Sequence, residues 1–178
     1  VTESIKRNLP VELALLPFIE SQFDPYAQSS TGASGIWQFI LSTAREQKLK
    51  KNWWYDGRRD IVASTDAAFN YLTKLHNKYD DWLLAIAAYN AGPNRILKEI
   101  KKNKDKGLPT DFWSLKLPRE TKAYVPKLLA LLEVIKSPEK FSVVIPNLPN
   151  RPYFQLVTLP SQVNLMQVAN ISGLKLEV

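Results

Sequence analysis

The sequence is poor in the residue types that most often bind metals or form cross-links. Its 178 residues include no cysteine, one methionine and one histidine. The lack of cysteine excludes disulfide bonds, thiolate metal sites and a cysteine nucleophile. His76 lies in a predicted helix without partner ligands, so we expect it at the surface and predict no metal site.

Long apolar runs are missing as well. No run approaches the roughly 20 residues that span a bilayer. The chain also begins at Val1, with neither Met nor an apolar leader, which favours a processed or excised fragment. A signal or lipid anchor would then lie in a preceding segment of the full-length protein.

What is present is an ordinary globular composition with a basic balance. Hydrophobic residues make up 45% and charged residues 23%, which favours one well-buried core over disorder. Lysine and arginine number 24 against 17 acidic residues, giving a net charge of +7. A basic surface suits nucleic acid, anionic lipid or an acidic polymer. The basic clusters at 48–51 and 98–106 are typical of solvated helix faces, so charge alone does not choose among these partners.

Helical patterns dominate residues 1–137, where proline, glycine and Asp60 mark helix ends. The predicted helices cover residues 11–19, 36–47, 61–79, 82–89, 93–104 and 120–136. After Ser137-Pro138 the pattern changes, because 141–145 and 153–159 predict short strands and 164–171 predicts one more helix. We therefore predict a boundary near residue 140.

The most informative residue is Glu20. Residues 13–19, directly before it, all carry apolar side chains, and a turn rich in small and hydroxyl residues follows. Burial disfavours the charged form of a carboxyl group, so Glu20 is expected to keep its proton near neutral pH. Such an acid can protonate a glycosidic oxygen, and the Ser21 hydroxyl beside it can hold a carboxyl or a sugar group. A single Glu near a helix end is more often a solvated surface residue.

Three further segments carry polar groups beside turns: GASGIWQ at 32–38, AYNAG at 88–92 and ETKAYV at 120–125. The first permits close backbone approach at its glycines and offers the amide of Gln38. In the second, Tyr89 and Asn90 stand where a tightly packed helix stops. In the third, Glu120 and Tyr124 are four residues apart and share one helix face. Taken one at a time, a helix-start turn, a helix C-cap and core packing are simpler interpretations.

Together with Glu20-Ser21-Gln22-Phe23, these segments resemble, in the same order, the four motifs of the family 1 soluble-type lytic transglycosylases. The resemblance covers roughly residues 8–136. It implies a mainly α fold, with a lysozyme-like helical catalytic domain at 1–139. A small β-containing segment at 140–178 would follow, either as a linker or as an incomplete LysM-like glycan-binding module.

The resemblance also implies roles for individual residues. Glu20 matches the family's single catalytic acid/base. The remaining candidates are substrate-binding residues, namely Ser21, Ser29, Gln38, Tyr89, Asn90, Glu120 and Tyr124. Most relatives have Met where this chain has Trp37, and an indole there could stack on a sugar face. Asp24 could be a second carboxylate, although the Asp-Pro pair favours a turn-stabilising role.

The activity implied by the resemblance is cleavage of peptidoglycan between N-acetylmuramic acid and N-acetylglucosamine, with formation of 1,6-anhydromuramic acid ends. It requires no cofactor and no metal. The expected partners are glycan strands rather than nucleic acid, and we expect a monomer in the periplasm, tethered to the outer membrane through a segment absent from this chain. Two alternatives remain, a goose-type hydrolytic lysozyme and a non-catalytic glycan- or nucleic-acid-binding module. The latter depends on the basic charge and the tryptophans, but Trp53, Trp54, Trp82 and Trp113 are more simply core or cleft-wall residues.

Overall fold

The computed structural model describes residues 1–147, 149, 151, 154, 157–173 and 175. Within these residues the regular structure is helical, and β structure is limited to isolated antiparallel bridges that pair residues 28 with 34, 34 with 39 and 51 with 56. The chain divides into two compact units, residues 1–144 and 145–178. The prediction of a mainly α fold is confirmed.

Seven α-helices form the first unit: α1 Thr2–Lys6, α2 Leu16–Ser21, α3 Leu41–Glu46, α4 Ile61–Tyr79, α5 Trp82–Ala91, α6 Pro93–Lys104 and α7 Arg119–Lys136. Short 3₁₀ helices cover Val11–Leu15, Phe112–Ser114 and Pro138–Phe141. The predicted bounds of α4 and α6 are confirmed, and those of α5 and α7 agree within two residues.

Local chemistry explains where these helices start and stop. The Asp60 carboxylate accepts a hydrogen bond from the Ala63 N–H at 2.9 Å and so caps the start of α4. Asp81 caps α5 in the same way through the Leu84 N–H. Gly92 has a φ of 86°, a value that favours glycine, and it ends α5 while Pro93 begins α6.

Helix α5 lies at the centre of the first unit and contacts α4, α6 and α7. It is apolar on every side, as expected of a helix with neighbours all round. Ala85, Ala87 and Ala88 are completely buried, because their small side chains let the surrounding helices approach closely. The end of this central helix therefore carries Tyr89 and Asn90 directly from the core to the surface.

The segment before α3 departs from the prediction. A helix was expected over 36–47, but α3 begins only at Leu41. The reason is the backbone of the preceding loop, where Gly35 and Gln38 adopt φ values of 80° and 48° and a bridge joins Ser34 to Phe39. Left-handed residues cannot continue a right-handed helix.

The predicted β segment at the C-terminal end is not confirmed. Instead of starting a strand, Phe141 ends a 3₁₀ helix, and residues 143–147 have no regular structure. Ser142 is left-handed, with a φ of 54°, and the Val143 N–H bonds back to the Pro138 carbonyl, so neither is available to a ladder. The predicted strand at 153–159 lies partly outside the described residues.

The second unit contains the predicted helix, α8, at Leu165–Ser172. Asn164 and Gln167 form a reciprocal capping box at its start, and Gly173 ends it in a left-handed conformation.

Candidate active site

A cleft of about 760 Å³ opens on the first unit. Its walls come from the end of α2, the 29–40 loop, the start of α3, the α5–α6 junction and one face of α7. Seven of the predicted site residues line it: Glu20, Ser29, Gln38, Tyr89, Asn90, Glu120 and Tyr124. The fold thus brings together residues that are as much as 104 positions apart in sequence.

Glu20 occupies the last turn of α2, which Gln22 ends in a left-handed conformation with a φ of 53°. The side chain is half-buried in the cleft wall, and the Tyr124 hydroxyl donates a hydrogen bond to its Oε1. The pKa of Glu20 is raised to about 7: burial is the main cause, the Tyr124 hydrogen bond partly opposes it, and the negative charge of Glu120 adds to the rise. Near neutral pH this carboxyl group is therefore present both as acid and as base.

Two buried phenols flank the acid. Burial, together with the neighbouring charge of Glu20, raises the pKa of both Tyr89 and Tyr124 well above the usual value, so both remain protonated donors. The Tyr89 hydroxyl donates to the Trp37 carbonyl at 2.9 Å, and its ring packs against Phe39 and Tyr71. Tyr89 therefore forms a rigid wall of the cleft.

A small polar network fixes the α5–α7 side of the cleft. The buried Thr121 hydroxyl donates to Asn90 Oδ1 at 2.8 Å, which sets the orientation of the amide. Asn90 Nδ2 then donates to Glu120 Oε1 at 3.2 Å. The exposed carboxylate of Glu120 is thereby held at the cleft, where its charge acts on Glu20.

The 29–40 loop supplies the opposite wall. The Ser29 hydroxyl accepts a hydrogen bond from the Ala33 N–H at 3.0 Å and pairs with the Thr31 hydroxyl at 2.9 Å. Gln38 Nε2 donates to the carbonyl oxygens of Gly35 at 2.8 Å and Ala27 at 3.2 Å. Since the amide nitrogen is used to hold the loop, the amide oxygen of Gln38 is the group left for a ligand.

Several candidates fall outside the cleft lining. The Ser21 hydroxyl lies between the carbonyl oxygens of Ile36 (3.0 Å) and Pro17 (3.2 Å), so it ties α2 to the next loop instead of facing a ligand. Trp37 is 2% exposed and donates to Thr65 Oγ1, which corrects the expectation that its indole stacks on a sugar. Asp24 accepts from the Tyr26 N–H at 2.8 Å, which confirms the turn-stabilising role.

The aromatic residues outside the motifs were assigned only partly correctly. His76 is half-buried and stacks on the Trp82 indole with ring centroids 4.0 Å apart, so it is less exposed than expected. The expectation that Trp53, Trp54 and Trp113 are core or cleft-wall residues is wrong: Trp53 and Trp54 are each 90% exposed and Trp113 is 62% exposed. The exposure of Trp53 and Trp54 could not be predicted from composition, because the 50–60 segment has no helical or strand period.

Sequence reasoning missed several cleft residues, among them Thr31, Phe39, Thr43, Glu46, Tyr71 and Lys127. Lys127 could have been found, because it is three residues beyond Tyr124 and seven beyond Glu120 on the same helix face. Thr43 and Glu46 could not, since α3 was predicted to start five residues too early. Within the described residues, no three His, Cys, Asp or Glu side chains are grouped as a metal site would require.

Comparison with known proteins agrees with this arrangement. The family described as Transglycosylase SLT domain matches residues 2–111. Membrane-bound lytic murein transglycosylase D of Escherichia coli (strain K12) is 50% identical over 170 residues, which cover 95% of this chain and 38% of that protein. A protein of Alteromonas sp. (strain M-1) named for tributyltin chloride resistance is 43% identical over 150 residues, or 84% of this chain and 72% of that protein. Membrane-bound lytic murein transglycosylase F of Desulfosudis oleivorans is 33% identical over 108 residues, covering 57% and 22% of the two chains.

The chain belongs to the SLT transglycosylase family, which confirms the resemblance seen in its four motifs. It spans 38% of the length of its Escherichia coli relative. Among the described residues, no helix has both the length and the apolar character needed to cross a membrane.

Proposed function

We propose that this chain is a peptidoglycan lytic transglycosylase, which cleaves the β-1,4 bond between N-acetylmuramic acid and N-acetylglucosamine. The observation that carries the proposal is the environment of Glu20. Its carboxyl group lies in the wall of a cleft, has a pKa of about 7 and accepts a hydrogen bond from Tyr124. The motif matches and the named relatives support the same substrate.

In the proposed reaction Glu20 acts first as an acid. It donates its proton to the glycosidic oxygen while the bond from that oxygen to the muramoyl C1 breaks. The acetamido oxygen of the same sugar stabilises the positive charge that develops at C1. Ser29 and Gln38, on the loop wall, are the groups available to orient that acetamido group.

Glu20 then acts as a base. Now ionised, it takes the proton from the muramoyl C6 hydroxyl, whose oxygen bonds to C1 and closes the 1,6-anhydro ring. The carboxyl group is restored to its acid form, and no water is consumed. A pKa near neutrality suits both half-reactions, and intramolecular attack benefits from proximity. Tyr124, hydrogen-bonded to Oε1, steadies the ionised form between the two steps.

A hydrolytic lysozyme is the second candidate, and Glu120 is the observation that favours it. Its carboxylate lines the same cleft and influences the pKa of Glu20. In an inverting mechanism such a group would activate water for attack on C1. Hydrolysis would then need Glu120 for the chemical step, whereas transglycosylation would not.

Digestion of purified sacculi, with mass spectrometry of the released fragments, tests the proposal. We expect fragments that end in 1,6-anhydromuramic acid and a loss of about 10²–10⁴-fold in rate for Glu20→Gln. Reducing ends would instead identify a hydrolase. Full activity of Glu20→Gln, with a normally folded protein, would refute the assigned role of Glu20.

We also propose that the full-length protein acts in the periplasm and is tethered to the outer membrane by a segment outside this chain. The support is the name of the Escherichia coli relative, which describes that protein as membrane-bound. Binding of glycan by residues 140–178 and a monomeric state stay predictions.

A further inference from the structure

The 50–60 segment places two tryptophans at the surface. Trp53 and Trp54 are each 90% exposed, and neither indole stacks on another aromatic ring of the described residues. A depression of about 580 Å³ lies beside them, also lined by Tyr26, Gln28 and Arg59. We call these five residues, together with Tyr55, the Trp53–Trp54 surface. Contiguous exposed aromatic side chains of this kind mark binding sites on soluble proteins.

The exposure is built into a well-fastened loop. Asn52 Oδ1 accepts hydrogen bonds from the N–H groups of both Trp54 and Tyr55 at 2.8 Å, and the Tyr55 carbonyl accepts one from the Asn52 N–H. The Tyr55 hydroxyl donates to Asp60 Oδ2 at 2.9 Å. Because the backbone is held from several sides, the loop that presents the indoles has little backbone freedom left to lose on binding.

A buried ion pair supports the loop from below. Arg58 is 4% exposed, and its guanidinium bonds to the Asp56 carboxylate at 2.7 Å. The same guanidinium donates to the carbonyl oxygens of Gly32 and Phe39. These two residues belong to the segment that walls the proposed catalytic cleft, so the aromatic loop and the cleft share one support.

The surface and the cleft are also neighbours along the chain. Gln28 lines the aromatic depression and the next residue, Ser29, lines the cleft. A bridge pairs Gln28 with Ser34, whose hydroxyl accepts from Arg59 Nε at 3.2 Å. The 26–34 segment therefore contributes residues both to this surface and to the cleft.

The charges on the surface favour a partner with negative groups. Asp56 is paired with Arg58 and Lys51, and Asp60 is used by Tyr55 and by the cap of α4. Arg59 is exposed, and within the described residues it has no carboxylate partner. Its guanidinium is thus available to a carboxylate of the ligand.

We propose that the Trp53–Trp54 surface is a second binding site for peptidoglycan strands, outside the cleft. Sugar rings have apolar faces that pack on indoles and rim hydroxyls that bond to groups such as the Gln28 amide. The peptide stems supply carboxylates for Arg59. Phospholipid headgroups also accept hydrogen bonds from Arg59, but they lack the flat ring faces that stack on indoles. The proposal rests on the proposed function, because it assigns this surface the same polymer as the cleft.

Binding to intact sacculi tests the proposal directly. In a Glu20→Gln background, which leaves the polymer uncut, Trp53→Ala/Trp54→Ala is expected to weaken binding about tenfold. Trp53→Phe/Trp54→Phe should restore most of it, because a flat ring remains. Trp113→Ala is the matched control: it removes another exposed indole, one that lines neither the surface nor the cleft, and should leave binding within about twofold.

Activity measurements separate this proposal from the assignment of the cleft. With Glu20 intact, the double alanine variant should digest sacculi more slowly but cleave a short soluble glycan at the wild-type rate. Unchanged binding to sacculi would overturn the proposal while leaving the catalytic assignment in place. Absence of anhydro products from the wild type would refute the proposed function, but it would not affect the measured binding of sacculi by the Trp53–Trp54 surface. Trp-dependent binding to vesicles of anionic phospholipid, or Trp-dependent dimerisation in ultracentrifugation, with no effect on sacculi, would also overturn it.

Discussion

The Tyr124 hydroxyl donates a hydrogen bond to Glu20 Oε1 and joins α7 to α2 across 104 positions of the sequence. Both residues lie at the cleft, and the phenol keeps its proton because burial raises its pKa. The bond favours the ionised form of Glu20, whereas burial and Glu120 favour the protonated form. The pKa of about 7 is the net result of these opposing effects. Substitutions at Tyr124 and at Glu120 can therefore test two of the contributions separately.

Removing the phenol hydroxyl tests the first of these contributions. In Tyr124→Phe the pKa of Glu20 should rise, because the hydrogen bond that lowers it is lost. The descending limb of the pH profile of kcat/KM then moves to higher pH, and kcat falls by about 10- to 100-fold, since hydrogen bonds to charged groups are strong. Release of anhydromuropeptides measured between pH 4 and pH 9 gives both quantities. A profile with an unmoved limb would contradict the coupling.

Removing the negative charge of Glu120 should shift the profile in the opposite direction. In Glu120→Gln the pKa of Glu20 falls, because the charge that helps raise it is gone. Less of the acid form then remains above neutral pH, so activity at pH 8 drops more than activity at pH 5. Glu46→Gln is a suitable control, because Glu46 lines the same cleft but is not among the groups that shift Glu20. Equal profiles for the two variants would show that the Glu120 charge does not act on Glu20.

Folding stability reports the same pKa without any substrate. Since the pKa of Glu20 rises from an ordinary value of 4.5 to about 7 on folding, the folded state binds more protons between these values. Its contribution to stability is therefore present below pH 4.5 and is lost as the pH rises to 7. Glu20→Gln removes this dependence, so the variant should gain about 3 kcal/mol relative to wild type between pH 4 and pH 8. Urea unfolding of both proteins at the two pH values measures the difference. If the difference in unfolding free energy between wild type and variant is the same at pH 4 and pH 8, the pKa of Glu20 is not shifted by folding.

Most of this architecture could be predicted from the sequence, because its signals are local. Asp60, Gly92 and Pro93 specify helix ends through their own backbone and side-chain chemistry, and the predicted bounds of α4 and α6 are confirmed there. The four motifs gave many of the cleft residues, because they lie at the end of α2, in the loop before α3, at the end of α5 and at the start of α7.

The failures have a different origin. Trp37 and Ser21 belong to matching motifs, yet their side chains are used internally, against Thr65 and the Ile36 carbonyl. Which face of a motif points inward depends on contacts with distant segments, and spacing does not carry that information. The exposure of Trp53 is of the same kind, since it follows from hydrogen bonds that hold its loop.

The Asp56–Arg58 pair is expected to be important for stability. The hydrogen bond from Arg58 holds the pKa of Asp56 well below its usual range, and the side chains are only 15% and 4% exposed. Asp56→Asn leaves a buried guanidinium without its counter-charge and should cost about 3–5 kcal/mol in urea unfolding. Asp66→Asn breaks the exposed pair with Arg7 and should cost about 0–1 kcal/mol. Equal losses in the two variants would mean that burial does not set the energy of the Asp56–Arg58 pair.

Gly35, in the GASGIWQ motif, lies where the aromatic loop meets the cleft wall. A Cβ added there would lie 1.8 Å from the Arg58 carbonyl oxygen, and the φ of 80° is itself unfavourable for alanine. Gly35→Ala must therefore displace backbone and should cost about 3 kcal/mol or more, with loss of activity because the 29–40 loop moves. Gly32→Ala shares the positive φ but meets nothing within 4 Å, so it should cost only about 1–2 kcal/mol and retain activity. If the two glycine variants unfold at the same urea concentration, the close approach of Arg58 is not what requires glycine at position 35.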